Sequence, residues 1–375
     1  MSELAIQRVS YKELSEFKYK SFDDPYEIVA FMTDHLRETM LACPNNEDKS
    51  KTALYIATDG NVAVGRVLQF GTKLKADGEI VSAQTGGSTY VEEKYRPLGV
   101  GASLLFASKK SDEYDFKINS LFSKMIVPML LRLKYIIFEI PQYGILRDLT
   151  PMFASVGLKG IPLNVCGTIA NLPIRLMDVI NKTKRRKLLK KFVVRKVTEV
   201  PEWAGEIASN DSHKYMELHD KKWLQWNLDY NMNGYPDDKQ SFYTITDKAG
   251  NPVGFFMTKE RFEEKAGRYH NIMRGTIVEW GTVDPDVLSE ADINLLALYS
   301  FSPKIFLIMT VTTEAKTAKR LKKMGFLRHG TLQMAICDKK KKYDDIDNIN
   351  LWRIRYGSCN TIIFGQAPHQ DNCLC

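Results

Sequence analysis

Arg96, Gly99 and Gly101 stand at close spacing in "VEEKYRPLGVGASLL", residues 91–105. "GGSTY" before it reads as the end of a strand, and the stretch after it reads as a helix. Such a junction suits an anion. The first turn of a helix leaves about four backbone N–H groups without intrahelical partners, and the helix dipole adds partial positive charge. Glycines let the chain turn tightly and let a bulky phosphate approach the backbone, while an arginine beside them adds a fixed, forked donor. "RPLGVGAS" therefore has what a pyrophosphate requires, with a plain Gly-rich turn as the alternative. Two familiar phosphate motifs do not fit. There is no G-x-x-x-x-G-K-[ST], and Leu104 takes the place of the third glycine in G-x-G-x-x-G.

The whole chain limits what can surround this junction. Its 375 residues are many for one core and suit two domains. Hydrophobic content of 44% and charged content of 26% are those of an ordinary soluble globular protein. No run of eighteen apolar residues occurs, so no membrane partner is expected. The N-terminus "MSELAIQRVSYKEL" lacks the layout of a signal peptide. Cys43, Cys166, Cys337, Cys359, Cys373 and Cys375 form no C-x-x-C and no Cys/His cluster, so no metal is expected. Cys373 stands third from the end, which does not fit a prenylation box. Free thiols in a reducing cytoplasm are the simple reading. His213 and His219 are six apart and would not share a helix face closely.

A net charge of +8 favours anionic ligands but falls short of a dedicated nucleic-acid binder, so nucleic acid is not an expected partner. "KTKRRKLLKK" (182–191) and "KKKK" (339–342) carry much of the excess. A solvated helix face and an exposed loop are the plain readings, and a nucleic-acid or membrane-surface role is the other.

The elements fall into two halves with the same order. "ALYIATDGNVAVGRVLQF" reads as a hairpin, "EIVSAQTGGSTYV" as a strand and "LGVGASLLFASKK" as a helix. "FKINSLF" is a short strand, "SKMIVPMLLRLK" a helix in which Pro128 marks a kink or the first turn, and "YIIFEIPQY" a strand. Residues 144–191 read as helical, basic connecting structure. The second half repeats the plan with a hairpin at 241–260, "GTIVEWGTV", "SEADINLLALYS", "KIFLIMTV", and "TEAKTAKRLKKMGF" stopped by Gly325. "TLQMAIC" and "NLWRIRY" would be the last strands. The shared order suggests tandem copies of one α+β fold, over 1–143 and 192–375.

"YVEEKYRPLGVGASLL" resembles the acetyl-CoA motif of the GNAT N-acyltransferase superfamily, in which R/Q-x-x-G-x-G/A follows a splayed strand and opens a helix. The resemblance implies two tandem GNAT-like domains, each a mixed, mostly antiparallel sheet flanked by helices, with acetyl-CoA or another acyl-CoA as co-substrate. Arg96, Gly99 and Gly101 match the fixed positions. Leu98, Val100 and Ala102 fall where backbone amides face phosphate, and Val91 and Glu92 lie on the segment that pairs with pantetheine. Pro97 departs from the motif by lacking an N–H. Ser123 stands where an asparagine often contacts pantetheine. Leu130 stands where a tyrosine often protonates the leaving thiolate, and Leu321 repeats that exchange in the second half. The second half's strand-to-helix loop, "TVDPDVLSEAD", has no R-x-x-G-x-G and is acidic through Asp284, Asp286, Glu290 and Asp292. One CoA site, in the first half, is implied.

Amine acylation requires a deprotonated amine, a polarised carbonyl and a departing thiolate that is protonated or tolerated. Strand amides near Val91 would polarise the carbonyl. A base belongs near Gln84 to Gly87, where no Glu, Asp or His stands, so Thr85 is a candidate to position a water. Glu139 lies in an apolar strand and would be a base if buried beside the cleft. Trp226 and Tyr230 in "KKWLQWNLDY", with Trp352 and Arg353 in "WRIRY", are candidates for the acceptor pocket, against ordinary core packing as the alternative. The expected activity is transfer of an acyl group, acetyl first, from acyl-CoA to a small-molecule amine such as an amino sugar, in the cytoplasm. A Fem-like aminoacyl transferase using charged tRNA and a non-catalytic GNAT pair are the alternatives.

Overall fold

The computed structural model describes residues 4–16, 34–60, 62–120, 122, 126–230, 238–266 and 269–358. The strands of the first half are β1 (Leu4–Ser10), β2 (Thr52–Asp59), β3 (Val62–Ala76), β4 (Glu79–Val91), β5 (Phe116–Ser120) and β6 (Ile136–Leu146). Those of the second are β7 (Phe192–Val197), β8 (Tyr215–Glu217), β9 (Lys239–Asp247), β10 (Pro252–Ala266), β11 (Tyr269–Thr282), β12 (Leu307–Val311), β13 (Leu327–Asp338) and β14 (Trp352–Arg353). The hairpins expected from alternating apolar residues appear as β2–β3 and β9–β10. Helices Val100–Lys110 and Glu290–Leu298 follow β4 and β11, as the repeated order implies. Pro128 falls in the first turn of the helix Val127–Arg132, where its missing N–H would lack a partner in any case. Between the halves lie helices Thr150–Ser155, Gly160–Ala170 and Leu172–Lys191.

All these strands belong to one sheet, ordered β1-β2-β3-β4-β5-β13-β6-β12-β11-β10-β9-β7, with β8 joining β3 and β14. The pattern reads the same from either edge. Antiparallel pairings lead from β1 to β4 and from β7 through β9 and β10 to β11. A parallel pairing follows on each side, β4 with β5 and β11 with β12. At the centre the halves exchange strands. β13 lies between β5 and β6, and β6 lies between β13 and β12. β13 suits a central place because Leu332, Met334, Ala335, Ile336 and Cys337 are all buried, so its apolar run is covered on both faces.

One core cluster joins Tyr11, Leu54 and Phe70 of the first half to Trp223, Phe242, Phe255 and Val278 of the second. A large apolar side chain contributes about 1.5–3 kcal/mol on full burial. Pulling the halves apart would forfeit several such contributions, besides the exchanged strands.

Candidate functional site

The motif forms the junction its residues predict. β4 ends at Val91, a 3-10 turn covers Glu93–Leu98, and the helix Val100–Lys110 begins after Gly99. Gly99 has φ 75° and ψ 15°, the left-handed conformation that a residue with Cβ enters at a cost of about 1–2 kcal/mol. Val100, Leu104, Leu105 and Ser108 turn inward, and Val100 and the two leucines join Val64, Val67 and Val91 in one cluster. The outward first turn, with Ala102 and Ser103, is exposed. No side chain caps this helix terminus, so the N–H groups of its first turn have no side-chain partner. Arg96 Nε donates to Val91 O at 3.0 Å, which ties the motif arginine to the end of β4.

Gly99 is required by the backbone, but Gly101 is not. A Cβ built on Gly101 would meet only Val91 Cγ2, at 3.6 Å, an ordinary contact, and its φ is not in the left-handed region. The fold would accept a side chain there, so packing does not require glycine at 101.

The strand before the turn is splayed. The β4–β5 ladder runs from Ala83–Phe116 to Gly86–Asn119 and stops, and a bulge in β4 opposite Arg66–Leu68 redirects it from there. Beyond Gly86, β4 pairs with β3 alone among the described residues, and runs towards the uncapped helix. At the root of the splay the Asn119 amide lies so close to Gly86 that a Cβ there would come within 2.5 Å of Asn119 Oδ1. Nothing in the motif pointed to Asn119. A polar pair, Asn119 and Ser120, inside the expected strand "FKINSLF" was the available signal.

The other expected residues are distributed as follows. Val91 is buried and its carbonyl accepts from Arg96. The Glu92 amide donates to Val64 O at 2.9 Å and its carboxylate accepts from Tyr90. Among the described residues Gly87–Tyr90 has no strand paired on its β5 side. Leu98 is exposed beside the turn. Ser123 lies outside the described residues. Thr85 is buried on β4, opposite Phe70. Gln84 Oε1 accepts from Lys117 Nζ at 2.8 Å, and burial pushes the Lys117 ammonium down to about 7. Glu139 is exposed on β6, which corrects its reading as a buried base. A strand between two others still has faces, and apolar neighbours along the chain did not reveal which face Glu139 took. Leu130 is buried beside Tyr135, and Leu321 beside Met324 and Phe326, so neither stand-in for tyrosine reaches the splay.

The acceptor candidates are core residues. Trp226 is buried against Phe70 and Trp223, with its Nε1 donating to Thr39 O at 3.0 Å, and Tyr230 packs on the same cluster. Trp352 stacks on Tyr215 with ring centroids 5.1 Å apart. Arg353 is no open clamp. It donates to Glu279 at 2.7 Å and lies 3.2 Å from Asp211.

Arg353 belongs to a buried ion cluster that occupies the second half where a matching splay would be. Arg355 donates to Glu279 at 2.8 Å and to Glu290. His219, stacked on Trp223, bridges Glu279 and Glu217. Burial alone would raise the Glu279 carboxyl, but the charges of Arg353, His219 and Arg355 hold it well below the usual range. Burial disfavours the His219 imidazolium, yet Glu279 and Glu217 outweigh it and raise its affinity for protons. The β11–β12 ladder stops at Thr276–Met309, and Gly357 N then donates to Val278 O at 2.9 Å. The chain's own segment thus fills that edge, so the second half offers no free cleft there. Its helix terminus is also taken: Ser289 Oγ accepts from Asp292 N at 3.2 Å, and Arg320 donates to Asp292 at 2.8 Å. Among the described residues no cluster could hold a metal ion.

No family sequence model matches the chain, and no curated protein matches it in sequence. Solved structures do match its fold. A protein of unknown function from Enterococcus faecalis, described as a probable N-acyltransferase, aligns at a TM-score of 0.54 and 13% identity, covering 90% of this chain and 72% of that one. Saccharomyces cerevisiae N-myristoyltransferase with bound myristoyl-CoA aligns at 0.54 and 11% identity, covering 90% and 79%. A GCN5-related N-acetyltransferase from Anabaena variabilis aligns at 0.51 and 9% identity, covering 90% and 73%. The chain therefore has an α+β tandem GNAT fold, the architecture it shares with these solved structures.

Proposed function

We propose that the protein is an acyl-CoA-dependent N-acyltransferase that holds its acyl donor, acetyl-CoA first, at the junction after β4. The observation that carries this reading is the uncapped terminus of Val100–Lys110, with bare Gly101 in its first turn and the open edge of β4 beside it. In this reading the amides of Val100, Gly101 and Ala102 bind pyrophosphate, with the Arg96 guanidinium beside them. Gly87–Tyr90 pairs with the pantetheine arm and Asn119 orients its amide. The donor supplies an activated thioester carbonyl. The protein supplies position and backbone donors, which account for a large part of such a rate. The acceptor is a small-molecule amine, an amino sugar among the candidates, and the setting is cytoplasmic, with Cys43, Cys166 and Cys337 as free thiols.

Titration calorimetry with acetyl-CoA tests the site. Arg96→Ala with Gly99→Asp should abolish binding while the fold survives at a melting temperature a few degrees below the parent's, because Asp enters the left-handed conformation at less cost than most side chains. Retained binding in the folded double variant would rule this junction out. The aminoacyl-transferase alternative requires salt-dependent tRNA binding, which is expected to be weak.

A further inference from the structure

Between the halves, the helices Gly160–Ala170 and Leu172–Lys191 present an outer face that ordinary solvent exposure does not explain. Ile161, Val165 and Ile169 follow at helical spacing, and Leu172, Leu176 and Val179 continue the row past a bend of 43°. These six are 52–79% exposed. Single exposed apolar residues are common, but a sustained row marks an interaction surface. The inner face is tied to the body of the protein. Asn181 donates to Met324 O at 2.8 Å and Tyr299 donates to Asp178 at 2.8 Å. The helices are thus apolar outward as well as held inward.

The same outer face then changes character. At 100° per residue, Arg186, Lys187 and Lys190 continue the line of Leu172, Leu176 and Val179, and Lys184 lies to one side, about 120° round from Leu172. All four cations are exposed. From 160 to 191 the sequence has eight basic residues and one acidic residue, Asp178. An apolar row followed by a basic row on one face fits the boundary of an anionic lipid leaflet. There the aliphatic side chains enter the acyl region and the cations meet headgroups. No single helix among the described residues is long and apolar enough to cross a membrane. The inner contacts to Met324 and Tyr299 keep the pair on the protein body, so it would lie on the surface rather than span it.

We propose that this helix pair docks the protein on an anionic lipid surface, contrary to the expectation from hydropathy that no membrane partner exists. Charge complementarity singles out this occupant. Nucleic acid would use the cations and leave the apolar row without a role. The proposal rests on the helix pair alone and stands apart from the acyl-CoA reading.

Flotation of the full chain with vesicles tests it. The parent should float with phosphatidylcholine vesicles containing phosphatidylserine, less so at high salt, and poorly with phosphatidylcholine alone. Replacing Lys184, Arg186, Lys187 and Lys190 by Gln should weaken partitioning on the anionic vesicles about tenfold or more. Ile169→Ser with Leu172→Ser and Leu176→Ser should remove it. Both variants alter exposed side chains and should melt and bind acetyl-CoA as the parent does. A parent that stays unbound at low salt overturns the proposal, as does equal flotation of all three proteins. So does tRNA binding lost in the glutamine variant without vesicle binding. Self-association lost in the serine variant, again without vesicle binding, would make the face a contact between copies and also overturn it.

Discussion

The junctions after β4 and β11 hold matching places in the sheet and treat the helix that follows in opposite ways. After β4 the first turn is bare, with glycine at the cap and at the second helical position. After β11, Ser289 caps the helix, Asp292 faces it, Arg320 and Arg355 hold the acidic side chains, and Gly357 hydrogen-bonds to the open strand. The fold itself makes both sites, because a parallel strand pair that splays beside a helix terminus leaves orphan donors twice. Sequence decides whether those donors meet the chain's own groups or a ligand's. The second junction is spent on internal order, and the first is the one that the proposed acyl-CoA site uses.

That contrast can be broken most severely at Glu279. Glu279→Gln leaves Arg353, Arg355 and His219 without their shared carboxylate, and should cost about 3–5 kcal/mol in urea unfolding. The pH dependence follows from the directions of the shifts. Glu279 and Asp211 titrate below their ordinary values of 4.5 and 3.8, so their contribution is complete above those values and is lost as pH falls. His219 titrates above its ordinary 6.5, so its contribution is complete below 6.5 and is lost as pH rises through the raised value. The parent should be most stable between those limits, and Glu279→Gln should flatten both limbs. A parent-like midpoint and pH profile would mean the cluster is not what fills the second half.

A second variant gives the first junction the chemistry of its counterpart. Ala102→Asp puts a carboxylate at the position that Asp292 holds after β11. The helix dipole favours an acid there, so the melting temperature should hold or rise slightly. Affinity for acetyl-CoA should fall about tenfold or more, since the new charge meets phosphate at short range. Unchanged affinity would separate the bare terminus from the pyrophosphate. In the reverse direction, Ser289→Ala removes a cap and should destabilise the protein by about 1 kcal/mol, with no effect on acetyl-CoA titration. The smallest effect is expected at Glu139→Gln. The side chain is exposed on β6, so stability should move by less than about 0.5 kcal/mol and turnover should be unaltered. A large loss of turnover would restore Glu139 as a base.

Legibility followed distance along the chain. "RPLGVGASLL" disclosed a strand-to-helix turn with a left-handed glycine because such preferences belong to neighbouring residues. The serine and acids of "LSEAD" likewise foretold a helix start that would not welcome phosphate. Arg353 and Trp352 could not be read in this way. The signal for an acceptor pocket, aromatic and cationic side chains close together, is also the signal for a packed ion cluster. Only the buried Glu279 and the stacked Tyr215 separate the two.

By itself, then, the sequence determined the repeated order of strands and helices and the glycine turn that opens the helix after β4. Local torsions, glycine positions and helix caps act within a few residues of themselves. Tertiary structure alone decided that β6 and β13 change places between the halves, since each is apolar enough for any central position. It also decided that Glu139 faces solvent while Glu279 is wholly desolvated. A carboxylate carries the same charge in either setting. Its surroundings come from residues far along the chain, such as Arg353 and Arg355, 74 and 76 positions from Glu279, and only folding brings them together.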